Sequence, residues 1–168
     1  TVVQSQGSIL PPERLNMARI DTGDAASLNK TSSITSGPIT VPAGATQLMF
    51  DLNFLSDEYP TYIGQEFDDV VVATMIPSSG SPVSKRVTSV NSASFTDLQT
   101  DTTGIGFNGM TGFFPVTFDV TGSTTVILSI EISDVGDTAF DSAALIDNIR
   151  FNVTKSLANT LTKLNHVE

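Results

Sequence analysis

The chain has 168 residues, a formal net charge of −10, 15% charged residues and no cysteine. That is one domain's length, able to bury a sizeable core, and its Val, Ile, Leu and Phe content is too high for a disordered acidic tail. A nucleic-acid or anionic-membrane binder carries a basic patch, which is absent here, and disulfides, thiolate metal sites and cysteine nucleophiles are excluded outright.

Along the chain, alternation dominates over helical spacing. Thr1 opens the sequence without a signal-peptide pattern, as a mature form or an excised domain would. Pro12-Glu13-Arg14-Leu15 has the proline expected at the start of a short helix. Asp21-Thr22-Gly23 matches the catalytic triplet of aspartic proteases. Those enzymes need two aspartates sharing a proton, and an Asx-type turn accounts for the single copy here. Residues 37–42 form a weak strand candidate. Leu48, Phe50, Leu52 and Phe54 then alternate with Met49, Asp51 and Asn53, as in a strand with one face in a core and one face wet. Val70, Val72, Thr74 and Ile76 follow in the same style, and residues 83–90 more weakly.

Gly104-Ile105-Gly106-Phe107-Asn108-Gly109 fits G-x-G-x-x-G by letter. No βαβ context surrounds it, so it reads as a glycine-rich loop, with Asn108 a candidate ligand contact. Phe114, Val116, Phe118 and Val120 mark another strand, and Val126, Leu128, Ile130 and Ile132 the clearest one. In the last strand Leu145, Asp147, Ile149 and Phe151 are expected to share one face. Leu157, Leu161 and Leu164 suit a helix or a linker equally. No apolar run approaches the roughly 20 residues that span a bilayer. Turns of Gly, Pro, Ser and Asn separate these short strands. The expected fold is an all-β antiparallel sandwich, jelly-roll-like, with at most short helices, over residues 1–154, and a tail or linker over 155–168.

Acidic residues are clustered. Of 18, six fall in residues 51–69 and five in 131–147, with no basic residue in either stretch. Crowded carboxylates take up protons, basic partners or a cation. An oxygen-only ligand set suits Ca²⁺; softer metals would want His or Cys, and the one histidine, His166, stands near the end. The candidate ligands are Asp57, Glu58, Asp68, Asp69, Asp134, Asp137, Asp141 and Asp147. An aspartate such as Asp147 on an apolar face costs several kcal/mol unless paired or coordinated. The plainer alternative is a set of solvated acidic turns, with Asp147 bonded to backbone amides or Arg150. The EF-hand spacing is absent. Tyr59 and Tyr62 sit beside the first cluster, able to stack on a sugar ring or simply to cover the loop. With no Trp and two Tyr, a sugar-cleaving site is poorly furnished.

Two segments carry a resemblance. Phe54-Leu55-Ser56-Asp57-Glu58-Tyr59-Pro60, Ile63-Gly64 and Phe67-Asp68-Asp69-Val70 are similar to a signature of the bacterial extracellular "choice-of-anchor" domains. Asp134-Val135-Gly136-Asp137 through Phe140-Asp141-Ser142-Ala143 resembles the second signature of the same family. Ile146-Asp147-Asn148-Ile149 is similar to the last strand of jelly-roll carbohydrate-binding and adhesion modules. Asp57 and Asp68 stand where many members have Glu and Asn, and both keep an oxygen ligand. The resemblance implies a secreted or cell-surface module, non-enzymatic, that binds carbohydrate or another host or cell-surface ligand. Flanking domains of a larger protein would accompany it, and neither nucleic acid nor membrane insertion is implied. A spacer or fibre subunit, with calcium for rigidity only, is the alternative.

Overall fold

The computed structural model describes residues 1–23, 30–98, 106–136 and 139–154. These form twelve strands: β1 (Val2–Val3), β2 (Met17–Asp21), β3 (Thr31–Thr35), β4 (Ile39–Thr40), β5 (Ala45–Ser56), β6 (Val70–Pro77), β7 (Val83–Ser89), β8 (Thr96–Asp97), β9 (Gly109–Met110), β10 (Phe114–Asp119), β11 (Thr125–Ser133) and β12 (Ser142–Val153). There is no helix among the described residues. Residues 155–168, with the three leucines and His166, lie outside them.

Two antiparallel sheets pack face to face, as the alternation requires. One runs β1-β2-β12-β5, with β10 and the short β9-β8 pair along the far edge of β5. The other runs β3-β11-β6-β7, with β4 joining β11 beyond β3. The inner faces meet in one core: Leu48, Phe50, Leu52 and Phe54 of β5 lie against Val71, Ala73 and Met75 of β6 and Leu128, Ile130 and Ile132 of β11. All four β5 side chains are fully buried. On the β7–β10 side, Lys85 closes the edge: its ammonium stands 4.9 Å over the Phe118 ring and donates to the Thr117 carbonyl.

Four expectations change. The core face of β6 is Val71, Ala73 and Met75, not Val70, Val72, Thr74 and Ile76; residues 70–73 are all apolar, so the sequence pattern there does not choose the face, and Ile76 is left 41% exposed. The outer face of β5 is not wet. A second cluster of Ile9, Met17, Leu55, Phe107, Ala143 and Leu145 roofs it, so Asn53 is buried and accepts from the Thr111 hydroxyl at 3.4 Å. The segment after Pro12 is not helical, because Arg14 takes a left-handed φ of 65° and the Glu13 amide bonds Asp147 instead. The last strand does not keep its alternation. A register shift falls between Asp147 and Arg150, with Asn148 at a φ of 55°.

That bulge has an electrostatic reason. Asp147 faces Asp51 directly across the ladder, and like charges in that position repel. The bulge delivers Asn148 Nδ2 and Arg150 Nη1 to the two oxygens of Asp51, at 2.7 and 2.9 Å. Asp147 accepts the Glu13 amide at 2.9 Å, so it is a capped outer-face carboxylate.

Candidate functional site

Five strands end or begin at one pole of the sandwich: β2, β5 and β11 finish there, and β6 and β12 start. Each carries its inward-facing alternation one step further with a polar residue. Ile20 is followed by Thr22, Phe54 by Ser56 and Ile132 by Asp134, while Asp69 precedes Val71 and Ser142 precedes Ala144. All five polar residues are buried. The apolar core therefore stops at a level polar layer rather than at water.

Hydroxyls knit this layer together. Thr22 and Ser142 exchange bonds through the Thr22 amide, at 2.9 Å to the Ser142 carbonyl, and the Ser142 amide, at 2.8 Å to Thr22 Oγ1. The Ser142 hydroxyl stands 2.9 Å from Ser56 Oγ and 3.1 Å from Glu58 Oε2. Ser56 Oγ also bonds Glu58 Oε2 closely. Glu58 is thereby folded back under its own loop, 1% exposed, beside Asp69 at 0% and Asp134 at 3%.

Asp69 is strongly perturbed. Its Oδ1 accepts the Val135 amide at 2.8 Å, while its buried Oδ2 accepts no hydrogen bond. Burial first, and the neighbouring Glu58 charge second, push its carboxyl up to about 7; the Asp134 charge adds a smaller push. The Val135 amide and the Ser142 hydroxyl pull the other way and do not offset this. The charges acting most strongly on Asp69 are thus both negative.

Asp57 and Asp141 lie above this layer, half-buried, joined by the Asp57 amide and the Asp141 carbonyl at 3.0 Å. Exposed Asn108 donates its amide to Asp57 Oδ1 at 3.1 Å and its Nδ2 to the Asp57 carbonyl at 3.2 Å. Asp21, ion-paired with Arg19 at 3.2 Å, joins them across Gly23. A Cβ on Gly23 would stand 3.2 Å from Asp141 Oδ2 and 3.3 Å from Asp21 Oδ1. The Asp-Thr-Gly triplet therefore serves the layer: Asp21 pairs with arginine and Thr22 bonds the backbone.

Aromatic rings edge the pole. Half-buried Tyr62 packs edge-on to Phe67 at 5.3 Å and against Phe140 at 4.9 Å. Tyr59, also half-buried, packs on Phe95 at 5.1 Å and lies against Gly109. A Cβ on Gly109 would sit 2.7 Å from Tyr59 Cδ1 and 2.9 Å from its Cβ, so backbone would have to move. Gly109→Ala should cost about 1–3 kcal/mol. Because the protein has two tyrosines and no tryptophan, the near-ultraviolet dichroism should report the displaced ring directly. An unchanged midpoint and spectrum would show that Tyr59 does not rest on this glycine.

Of the eight candidate ligands, then, the fold gathers Glu58, Asp69 and Asp134 in the buried layer, with Asp57 and Asp141 above it. Asp68 points the other way, salt-bridged to Arg86 and accepting the Asn91 amide at 2.8 Å. Asp147 lies five residues along β12 from Ser142, roughly 17 Å away at strand rise. Asp137 lies outside the described residues. Among the described residues no three acidic or histidine side chains already stand as a formed metal shell. Ser56, Ser142 and Thr22, absent from the candidate list, are the residues that organise the pole.

No family model matches the chain, so the choice-of-anchor resemblance rests on its two segments alone. No curated protein is similar to it in sequence. Among solved structures, the carbohydrate-binding module TmCBM61, determined in complex with beta-1,4-galactotriose, is similar with a TM-score of 0.51 and 11% identity, covering 92% of this chain and 81% of that one. The infectious bursal disease virus VP2 subviral particle matches with a TM-score of 0.34 and 15% identity, over 79% of this chain and 32% of that one. The chain thus has the β-sandwich fold that a carbohydrate-binding module also adopts.

Proposed function

We propose that this protein is a non-catalytic carbohydrate-binding module, working outside the cell, whose acidic pole holds Ca²⁺. The observation that carries the reading is the buried trio Glu58, Asp69 and Asp134, in which the two charges bearing on Asp69 are of its own sign and Asp69 Oδ2 accepts no hydrogen bond. Carboxylate and hydroxyl oxygens are hard donors, the set that Ca²⁺ prefers. An ion would have to draw the three carboxylates onto itself, with Ser56 and Ser142 as their supports. Millimolar extracellular calcium would fill even the weaker class of such sites, which is why the module is read as working outside the cell.

Above that layer, the pole offers what sugar hydroxyls and ring faces bind: the carboxylates of Asp57 and Asp141, the exposed amide of Asn108, and the partly exposed rings of Tyr59 and Tyr62. The galactotriose bound by TmCBM61 makes β-1,4-galacto-oligosaccharides the first ligands to try. Surface glycans of host or neighbouring cells are the wider class, presented to the module by flanking domains of a larger protein.

Titration calorimetry with β-1,4-galactotriose, and a glycan array, test this directly. Binding should appear with millimolar Ca²⁺, weaken on adding EDTA, and fall about tenfold or more in Asn108→Ala or Tyr62→Ala. Silence on every glycan, in a protein that calcium still stabilises, would refute carbohydrate recognition and favour a structural spacer.

A further inference from the structure

Each sheet ends in an edge strand on the β7–β10 flank, since no described strand pairs with the outer side of β7 or of β10. Free edges of this kind are templates for a strand of another chain. The ladder fixes which groups of β10 are free. The Val120 amide bonds the Thr46 carbonyl at 3.0 Å, and the same register sets Phe118 opposite Leu48 and Val116 opposite Phe50. Bonded and non-bonded pairs alternate in an antiparallel ladder. Residues 116 and 118 therefore direct their N–H and C=O groups to β5, while 115, 117 and 119 aim theirs outward. Two of those outward residues are unfit to pair. Pro115 has no N–H, and the Thr117 carbonyl already accepts the Lys85 ammonium at 2.5 Å.

Lys85 reaches that carbonyl from the opposite sheet. It stands across from the core residue Ala73, so its stem leaves β7 on the inner face and runs beside the Phe118 ring. A charge directed inward from an edge strand keeps edges from pairing, and a bulge does the same. β7 has both: Thr88 faces Val71 and Arg86 faces Val72, which leaves Val87 without a counterpart. A strand added along β10 would have to strip the Thr117 carbonyl from Lys85 and shut an unpaired ammonium between the sheets, which is strongly unfavourable.

We propose that Lys85 is a strap across the two sheet edges which, together with Pro115, holds the β10 edge closed to a second copy of this chain. An antiparallel pair is self-complementary about a two-fold axis, so the strand always at hand to take this edge is the β10 of another molecule. The strap lies on the flank of the sandwich and does not depend on carbohydrate or calcium binding at the pole.

Sedimentation equilibrium of the full chain tests it. The parent and Lys85→Arg, which keeps a charged donor, should not pair through β10. Lys85→Met keeps a stem beside Phe118 but offers no donor, and should self-associate at least about tenfold more strongly than the parent. Adding Pro115→Val restores an outward N–H and should strengthen the association again. Hydrogen exchange at the Thr117 and Asp119 amides should slow in the associated form. Thr117→Pro, added to that double variant, removes an outward donor that β5 does not use and should return the protein to the parent's state. Thermal melts of dilute samples separate pairing from unfolding, and the Lys85→Met protein should melt with the parent there. The proposal fails if the double variant associates no more than the parent, if Thr117→Pro leaves its association unchanged, or if protection falls on another strand. It fails equally if association comes only with a lowered midpoint in dilute solution, or if the parent already pairs through residues 117 and 119.

Discussion

Millimolar Ca²⁺ should raise the thermal midpoint at pH 8 by roughly 5–10 °C over the EDTA-treated protein, and Asp69→Asn should remove most of that rise. The size follows from a ligand near a hundredfold above its dissociation constant, worth about 2.7 kcal/mol, with about 2–4 °C per kcal/mol at this chain length. Asp69 is the sensitive position because burial and Glu58 push its carboxyl up to about 7, from an ordinary value of 3.8. The folded protein therefore holds a proton that the unfolded chain has released between about pH 4 and pH 7. Stability from this group is intact below pH 4 and is lost as pH rises through 7, at a cost approaching roughly 4 kcal/mol without metal. Asp69→Asn, free of that cost, should melt higher than the parent protein in EDTA at pH 8 and lose the advantage at pH 4. Two independent outcomes are read. If calcium leaves the parent midpoint unmoved, the cation is wrong, whatever the pH series does. If the parent and Asp69→Asn midpoints run parallel from pH 4 to pH 8, the buried carboxylate is not strained by its neighbours.

Phe54→Ala should cost about 3–5 kcal/mol and lower the midpoint by roughly 10 °C or more. The ring is fully buried at the pole end of the inner face of β5. It packs 5.8 Å from the Phe95 ring, which in turn packs 5.1 Å from Tyr59. Truncation therefore opens a cavity in the core and also removes the support beneath one of the two tyrosines at the pole. Tyrosine dichroism should shrink at temperatures where the far-ultraviolet spectrum is still native. A loss of stability with the tyrosine signal intact would show that Phe95 holds Tyr59 without Phe54.

Most of the long strands can be read from the sequence, because period-two alternation has one physical cause and shows locally in β5, β10 and β11; the all-apolar start of β6 does not choose its face, and the bulge in β12 breaks the period. The roof over the outer face does not show. Ile9, Met17 and Phe107 are far apart in the chain, and nothing local says that they meet over Leu55 and Leu145. Alternation also carries more of the site than residue type does. Asp68 and Asp69 are equivalent by composition, yet only Asp69 continues the inward register of Val71 and Ala73. The same extension finds Ser56, Thr22, Asp134 and Ser142, which a search for acidic clusters passes over or finds for another reason. Asp147 escapes both rules, because the repulsion from Asp51 is relieved by a bulge that depends on the partner strand.

The level polar layer under the pole has a consequence for how such a module diversifies. Residues 59–66 and 139–141 stand above a floor already closed by Thr22, Ser56, Glu58 and Ser142, so the apolar interior ends below them. Substitutions and small insertions in those stretches should therefore leave the melting behaviour of the sandwich below largely unchanged. On the proposed reading, the surface that meets a ligand is free to vary where the core is not.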